Sequence, residues 1–129
     1  MDAQETRRLH ELAARAIGLS GDYRYCEAWK CMATWNDTDG GWFDWRSAWR
    51  PLADDGDSRR LEVALHMGVQ SNGPDHWQSP NCTIVIFDTA DCPSRLKQDH
   101  AGDPCAATRL AVLRAAAAIG EAMQERGAA

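Results

Sequence analysis

The sequence predicts an α/β (α+β) domain in which a three-helix α/β/α sandwich surrounds a small, mainly antiparallel sheet. Three features carry that expectation: three blocks of helical apolar periodicity, one strand with no polar face, and a length of 129 residues, which suits one hydrophobic core. A strand apolar on both sides is normally covered on both sides, and helices above and below a sheet supply such cover. A single domain over 1–129 follows, and a content of 44% hydrophobic and 26% charged residues is that of a chain that folds rather than one that stays disordered.

The first helix is read from Ala3 to Ile17, where Leu9, Leu12, Ala13, Ala16 and Ile17 fall on one stripe. Gly18 suits the left-handed position that ends a helix, with Leu19 folding back on the last turn. Tyr23 to Trp35 is rich in aromatic residues and reads as strand, "NDTDGG" is turn chemistry, and Trp42 to Trp45 returns as a second strand. A loop from Asp37 to Gly40 would set Trp35 opposite Trp42.

"PLADDGDSRRLEVALHMG" announces the second helix: a Pro, a cluster of Asp at the amino-terminal turn, Leu61, Ala64 and Leu65 on one face, and Gly68 as terminator. Val69 and Gln70 leave a further strand open. The clearest strand is "CTIVIFD", with Cys82, Ile84 and Ile86 on one side and Thr83, Val85 and Phe87 on the other. The segments "SNGPDHWQSPN" and "DCPSRLKQDHAG" read as loops. In the third helix Asp103 is the N-cap and Pro104 the first residue. Alanines dominate from Ala106 to Ala118, which makes the helix intrinsically favoured and thin. Val112, Leu113, Ala116, Ile119 and Met123 share a face opposite Arg114, Glu121 and Glu125, while Arg109 projects onto the apolar face.

The formal charge of −5 argues against a broad surface for nucleic acid or anionic membrane. The amino terminus has no continuous apolar stretch of a secretory signal and no run spans a bilayer, so a cytoplasmic location is expected. Five cysteines, an odd number, then read as reduced thiols. Only Cys26 and Cys31 stand close together, and no His lies at a matching distance for zinc. No cofactor is expected.

The blocks "ELAARAIGL", "WRPLADDGDSRRLEVALHMGV" and "GDPCAATRLAVLRAAAAIG" together resemble the phage ABA sandwich domain, a family of small phage and prophage proteins, in which similar blocks recur in the same order. The resemblance implies an α/β/α sandwich in a bacterial cytoplasm and no particular reaction. The cysteines and the Tyr23 to Trp45 aromatics take no meaning from it.

Asp54, Asp55 and Asp57 have two readings: ligands of a hard cation, or caps of the second helix, which suffice to explain them. His10, His66, His76 and His100 are scattered, and no GxSxG, HExxH or P-loop is present. A guanidinium on an apolar face needs a partner or an exit to water, so Arg109 either snorkels past the edge of the core or pairs with the acidic turn Asp54 to Asp57. The pair, pinning the third helix to the start of the second, is the working hypothesis. Among the tryptophans, Trp29, Trp35 and Trp49 read as packing residues. Trp42 and Trp45, beside Arg46 and Arg50, are candidates for a partner surface, because binding hot spots are enriched in Trp and Arg. The expected function is therefore binding of a protein partner without catalysis. A small-molecule or metal-dependent enzyme using Asp54, Asp55, Asp57 and Arg109 is the alternative, and binding of single-stranded nucleic acid ranks third.

Overall fold

The structure is a computed structural model that describes residues 1–19, 21–36, 40–42, 48–89 and 92–128, apart from the side chains of Asn36, Trp42 and Ala128. Among these residues the order is α1 (Ala3–Ala16), β1 (Tyr23–Cys26), β2 (Cys31–Asn36), β3 (Gly41–Trp42), α2 (Asp55–Ala64), β4 (Gly68–Asn72), β5 (Cys82–Thr89), β6 (Cys92–Asp99) and α3 (Pro104–Ala128). The class is α+β, with three helices and two three-stranded antiparallel sheets, β1-β2-β3 and β4-β5-β6, where one sheet was expected.

Each helix begins on an aspartate. Asp2 accepts from the Glu5 N–H at 2.7 Å, Asp54 from the Asp57 N–H at 2.8 Å, and Asp103 from the Ala106 N–H at 3.1 Å. A carboxylate there satisfies a free donor and sits at the positive end of the helix dipole. The first two helices also stop alike. Gly18 (φ 67°) closes α1, with the Leu19 N–H on the Ala14 carbonyl at 2.9 Å. In α2 the left-handed residue is His66 (φ 55°), with the Met67 N–H on the Glu62 carbonyl at 3.0 Å. This corrects the expected terminator: histidine tolerates the left-handed region better than most side chains, which frees Gly68 to open β4.

A second correction concerns residues 92–99, expected as loop and found as β6. Its alternation is genuine but nearly apolar-free, since Ser94, Leu96 and Gln98 are half-buried while Arg95, Lys97 and Asp99 are exposed. An edge strand with a single large apolar side chain gives little periodic signal.

The most widely shared packing element is α3, which touches α1, α2 and every strand of the second sheet. Ala111, Val112, Leu113, Ala115, Ala116 and Ala117 are all buried, so this stretch is enclosed on most sides. Its alanines let three neighbours approach one helix. Arg114, expected on a polar face, is instead half-buried: its Nη1 donates to Gln98 Oε1 of β6 at 2.5 Å. Cover on β5 is complete only on the α3 side. Thr83, Val85 and Phe87 face α3, whereas the opposite row runs from buried Cys82 through Ile84 to Ile86, which is 56% exposed. The expectation of helices on both faces of this strand is thus not met at Ile86.

On the other side of the molecule α1 lies on the β1–β2 hairpin. His10 packs against Tyr25 (ring centroids 5.6 Å apart) and edge-on to Trp49 (6.4 Å). Trp49 exchanges backbone bonds with Met32 at 2.7 and 3.1 Å, so the segment before α2 extends the hairpin by one bridge. Trp35 stands opposite Trp42, as the loop length requires.

Candidate functional site

The acidic turn is consumed by structure. Asp54 caps α2; Asp57 accepts from the Arg50 N–H at 2.9 Å and from Arg60 Nη1 at 2.9 Å. Asp55 receives Arg109 Nη1 at 2.7 Å, while Arg109 Nε donates to the Leu52 carbonyl at 2.9 Å. The guanidinium therefore ties α3 to the turn that precedes α2 and to its first residue. Among the described residues no group of three His, Cys, Asp or Glu side chains is placed to hold a metal ion.

A cavity of about 300 Å³ opens between the first turns of α2 and α3, with Asp55, Arg59, Ser71, Cys105, Thr108 and Arg109 on its wall. It brings Asp55 and Arg109 together; Asp54 and Asp57 do not line it. Behind it lies a pairing that the sequence did not suggest: His100 Nε2 is 3.2 Å from Ser71 Oγ and 3.0 Å from Thr83 Oγ1. The direction of the hydrogens decides what this pair can do. Thr108 Oγ1 donates its proton to the Pro104 carbonyl (2.8 Å), so at the 2.7 Å contact Thr83 must donate to Thr108. Thr83 then accepts from His100, which places the proton on Nε2. An imidazole nitrogen that already carries a proton cannot take one from Ser71, so the pair is not an activated nucleophile in this state.

The tryptophans divide differently from the sequence expectation. Trp45, Arg46 and the side chain of Trp42 lie outside the described residues, and Arg50 is half-buried before α2. Trp49 is buried and Trp29 and Trp35 are half-buried. Trp77, which stood unremarked in an expected loop, is 83% exposed. That loop is held in shape around it. The His76 and Asn81 N–H groups both donate to the Gly73 carbonyl at 3.3 and 3.2 Å, Asn72 Nδ2 donates to the Ser79 carbonyl at 2.9 Å, and His76 Nδ1 accepts from the Ser79 N–H at 3.0 Å.

The same loop folds over one end of the outer face of β4-β5-β6, where Cys82 Sγ donates to the Ser79 carbonyl at 3.3 Å. Ile84, between Gln70 and Lys97, is still buried; Ile86, between Gly68 and Arg95, is the residue of this row that lies open. Gly68 has no side chain to shield Ile86. The face thus combines an exposed branched aliphatic residue with two exposed cations, Arg95 and Lys97, on the same row as a loop that carries an exposed indole. The signal for it was in the sequence: "CTIVIFD" has two apolar faces, and only one of them is claimed by a helix.

Compared with protein-family models, with curated proteins and with solved structures, the chain matches none. Among the described residues no helix is long and apolar enough to cross a membrane.

Proposed function

We propose that this chain is a non-catalytic protein-binding domain whose partner docks on the outer face of β4-β5-β6. The observation that carries the reading is Ile86, 56% exposed between buried Val85 and Phe87, in a strand whose composition asks for cover on both sides. Trp77 supplies an aromatic anchor of the type enriched at binding hot spots. Arg95 and Lys97 select a partner surface that is apolar at its centre and acidic around it. The sequence blocks that resemble the phage ABA sandwich domain support a phage or prophage accessory role in a bacterial cytoplasm. In the α/β/α layering which that resemblance implies, the second cover of β5 would be the partner itself.

The test is co-purification of the tagged chain with the products of its neighbouring genes. One of them should be retained, lost on Ile86→Lys, weakened by Trp77→Ser and released by raised salt. A partner retained equally by Ile86→Lys would overturn the reading. Retention of single-stranded oligonucleotides by the wild-type chain, lost on Trp77→Ser, would replace it with the nucleic-acid alternative.

A further inference from the structure

The β1–β2 hairpin holds a pair of thiols that the function above does not use. Cys26 and Cys31 are direct cross-strand partners at the end of the ladder, each 1% exposed and each a free cysteine. Backbone bonding fixes the kind of pair they form. The Trp35 N–H donates to the Asp22 carbonyl, and Met32 sends both its backbone groups the other way, to Trp49. Alternation along the ladder then makes Cys26 and Cys31 a hydrogen-bonded pair, whose Cα atoms stand about 5.5 Å apart with side chains on one face. A disulfide needs a Cα separation of about 4.4–6.8 Å, which such a pair meets, and Cβ atoms about 3.5–4.5 Å apart, which requires the two strand ends beside the turn to draw together by about 1 Å. The four-residue turn Glu27–Lys30 that joins them, with Lys30 in the left-handed region (φ 54°), keeps the two opposite one another.

We propose that Cys26 and Cys31 form a peroxide-oxidisable dithiol that closes to a disulfide across the first hairpin. Burial selects the oxidant, since a small neutral molecule such as hydrogen peroxide can reach a site that a charged or bulky disulfide cannot. The Cys26 sulfur, as thiolate, attacks one peroxide oxygen; the O–O bond breaks, and the hydroxide released takes up the Cys26 proton as water. The Cys31 sulfur then attacks the resulting sulfenic sulfur, and its own proton leaves with the hydroxyl as a second water. Two thiols lose two hydrogens and one peroxide becomes two waters. Burial and the neighbouring Cys26 push the Cys31 thiol up to about 11, which disfavours Cys31 as the thiol that attacks peroxide and leaves it the second, resolving position. No other described thiol has this arrangement: Cys82 bonds to the Ser79 carbonyl, and the exposed Cys92 stands opposite Thr89.

The experiment treats the reduced chain with hydrogen peroxide, quenches, unfolds and alkylates it, and digests it with trypsin. Cleavage after Lys30 puts the two cysteines on separate peptides, residues 25–30 and 31–46. The expected product is these two peptides joined, two hydrogens lighter than their sum, and separated again by dithiothreitol. Recovery of both peptides alkylated and unlinked, while Cys92 or Cys105 is oxidised, would overturn the proposal. So would Cys26 recovered as an unlinked sulfinic or sulfonic acid. In Cys31→Ser, where the link cannot form, a dimedone adduct on Cys26 is expected; an adduct confined to the exposed cysteines would overturn the assignment of Cys26 as the attacking thiol.

Discussion

Gly120 of α3 lies against the backbone carbonyl of Leu12 in α1, so close that a Cβ built on the glycine would fall inside it. The contact is backbone to backbone, and neither helix can relieve it by turning a side chain. Gly120→Ala should therefore destabilise the fold although alanine is the better helix former, by about 2 kcal/mol or more, since overpacking outweighs the gain in propensity of about 1 kcal/mol. Gly127, in the same helix with nothing within 4 Å of its Cβ position, is the control. Gly127→Ala should be neutral or slightly stabilising. Urea melts of the two variants check the pair; equal midpoints would mean the helices can part at no cost.

Arg109 and Asp55 form an unequal pair. The arginine side chain is 20% exposed and also serves the Leu52 carbonyl, whereas the aspartate is 79% exposed and has water available. Arg109→Ala should cost about 1–3 kcal/mol, because it leaves a partly buried carbonyl without its donor. Asp55→Ala should cost less than about 1 kcal/mol, the scale of an exposed ion pair. Arg109→Lys should not restore stability, since one ammonium cannot reproduce the forked geometry that reaches both acceptors. If the two alanine variants melt together, the Leu52 bond contributes nothing.

The α1 side of the core is pH-sensitive through His10. This ring is fully buried; its Nδ1–H donates to the Thr6 carbonyl at 2.7 Å, and its Nε2 has no hydrogen-bond partner among the described residues. Burial pushes its pKa below 6.5, partly opposed by the Thr6 bond. The sign follows from linkage: between that lowered folded value and 6.5 the unfolded chain binds a proton that the folded chain refuses. The contribution of His10 is present above pH 6.5 and is lost as pH falls below it, with a slope of at most about 1.4 kcal/mol per pH unit. His10→Asn keeps a donor for Thr6 and should flatten the profile between pH 6.5 and the onset of carboxylate titration. An unchanged slope in that variant would assign the effect to another group.

Local chemistry was the legible part of this fold. Asp54, Asp103 and Pro104 announced their helices, and counting from Asp37 to Gly40 placed Trp35 across from Trp42. The partner region of Arg109 was readable, because a guanidinium on an apolar face needs an acceptor; which aspartate it meets was not, since backbone donors engage Asp54 and Asp57 in three dimensions. Layering was the hardest part. A run of alanines says that neighbours approach closely but not how many, and here several elements share α3. Likewise "CTIVIFD" reported two apolar faces, but local sequence does not name what lies on the second. The Ser71–His100 pair and the Trp77 loop depend on contacts between distant segments, and no spacing foretells them.

The exposed residues on the proposed docking face should be removable without harm to the isolated fold. Trp77 is 83% exposed, and the hydrogen bonds that shape its loop come from its neighbours Asn72, Gly73, His76 and Asn81 rather than from its own indole. Trp77→Ser should thus change stability by no more than about 0.5 kcal/mol. Ile86→Lys puts a solvated charge on an already wet face opposite Gly68, and should cost less than about 1 kcal/mol, with Arg95 as a like-charged neighbour. Phe87→Ala, one residue away on the face that meets α3, should instead cost about 3–5 kcal/mol. Denaturant melts of the three variants in the absence of any partner check this contrast. If Ile86→Lys or Trp77→Ser unfolds the free chain as Phe87→Ala does, the outer face belongs to the core and is not available to a partner.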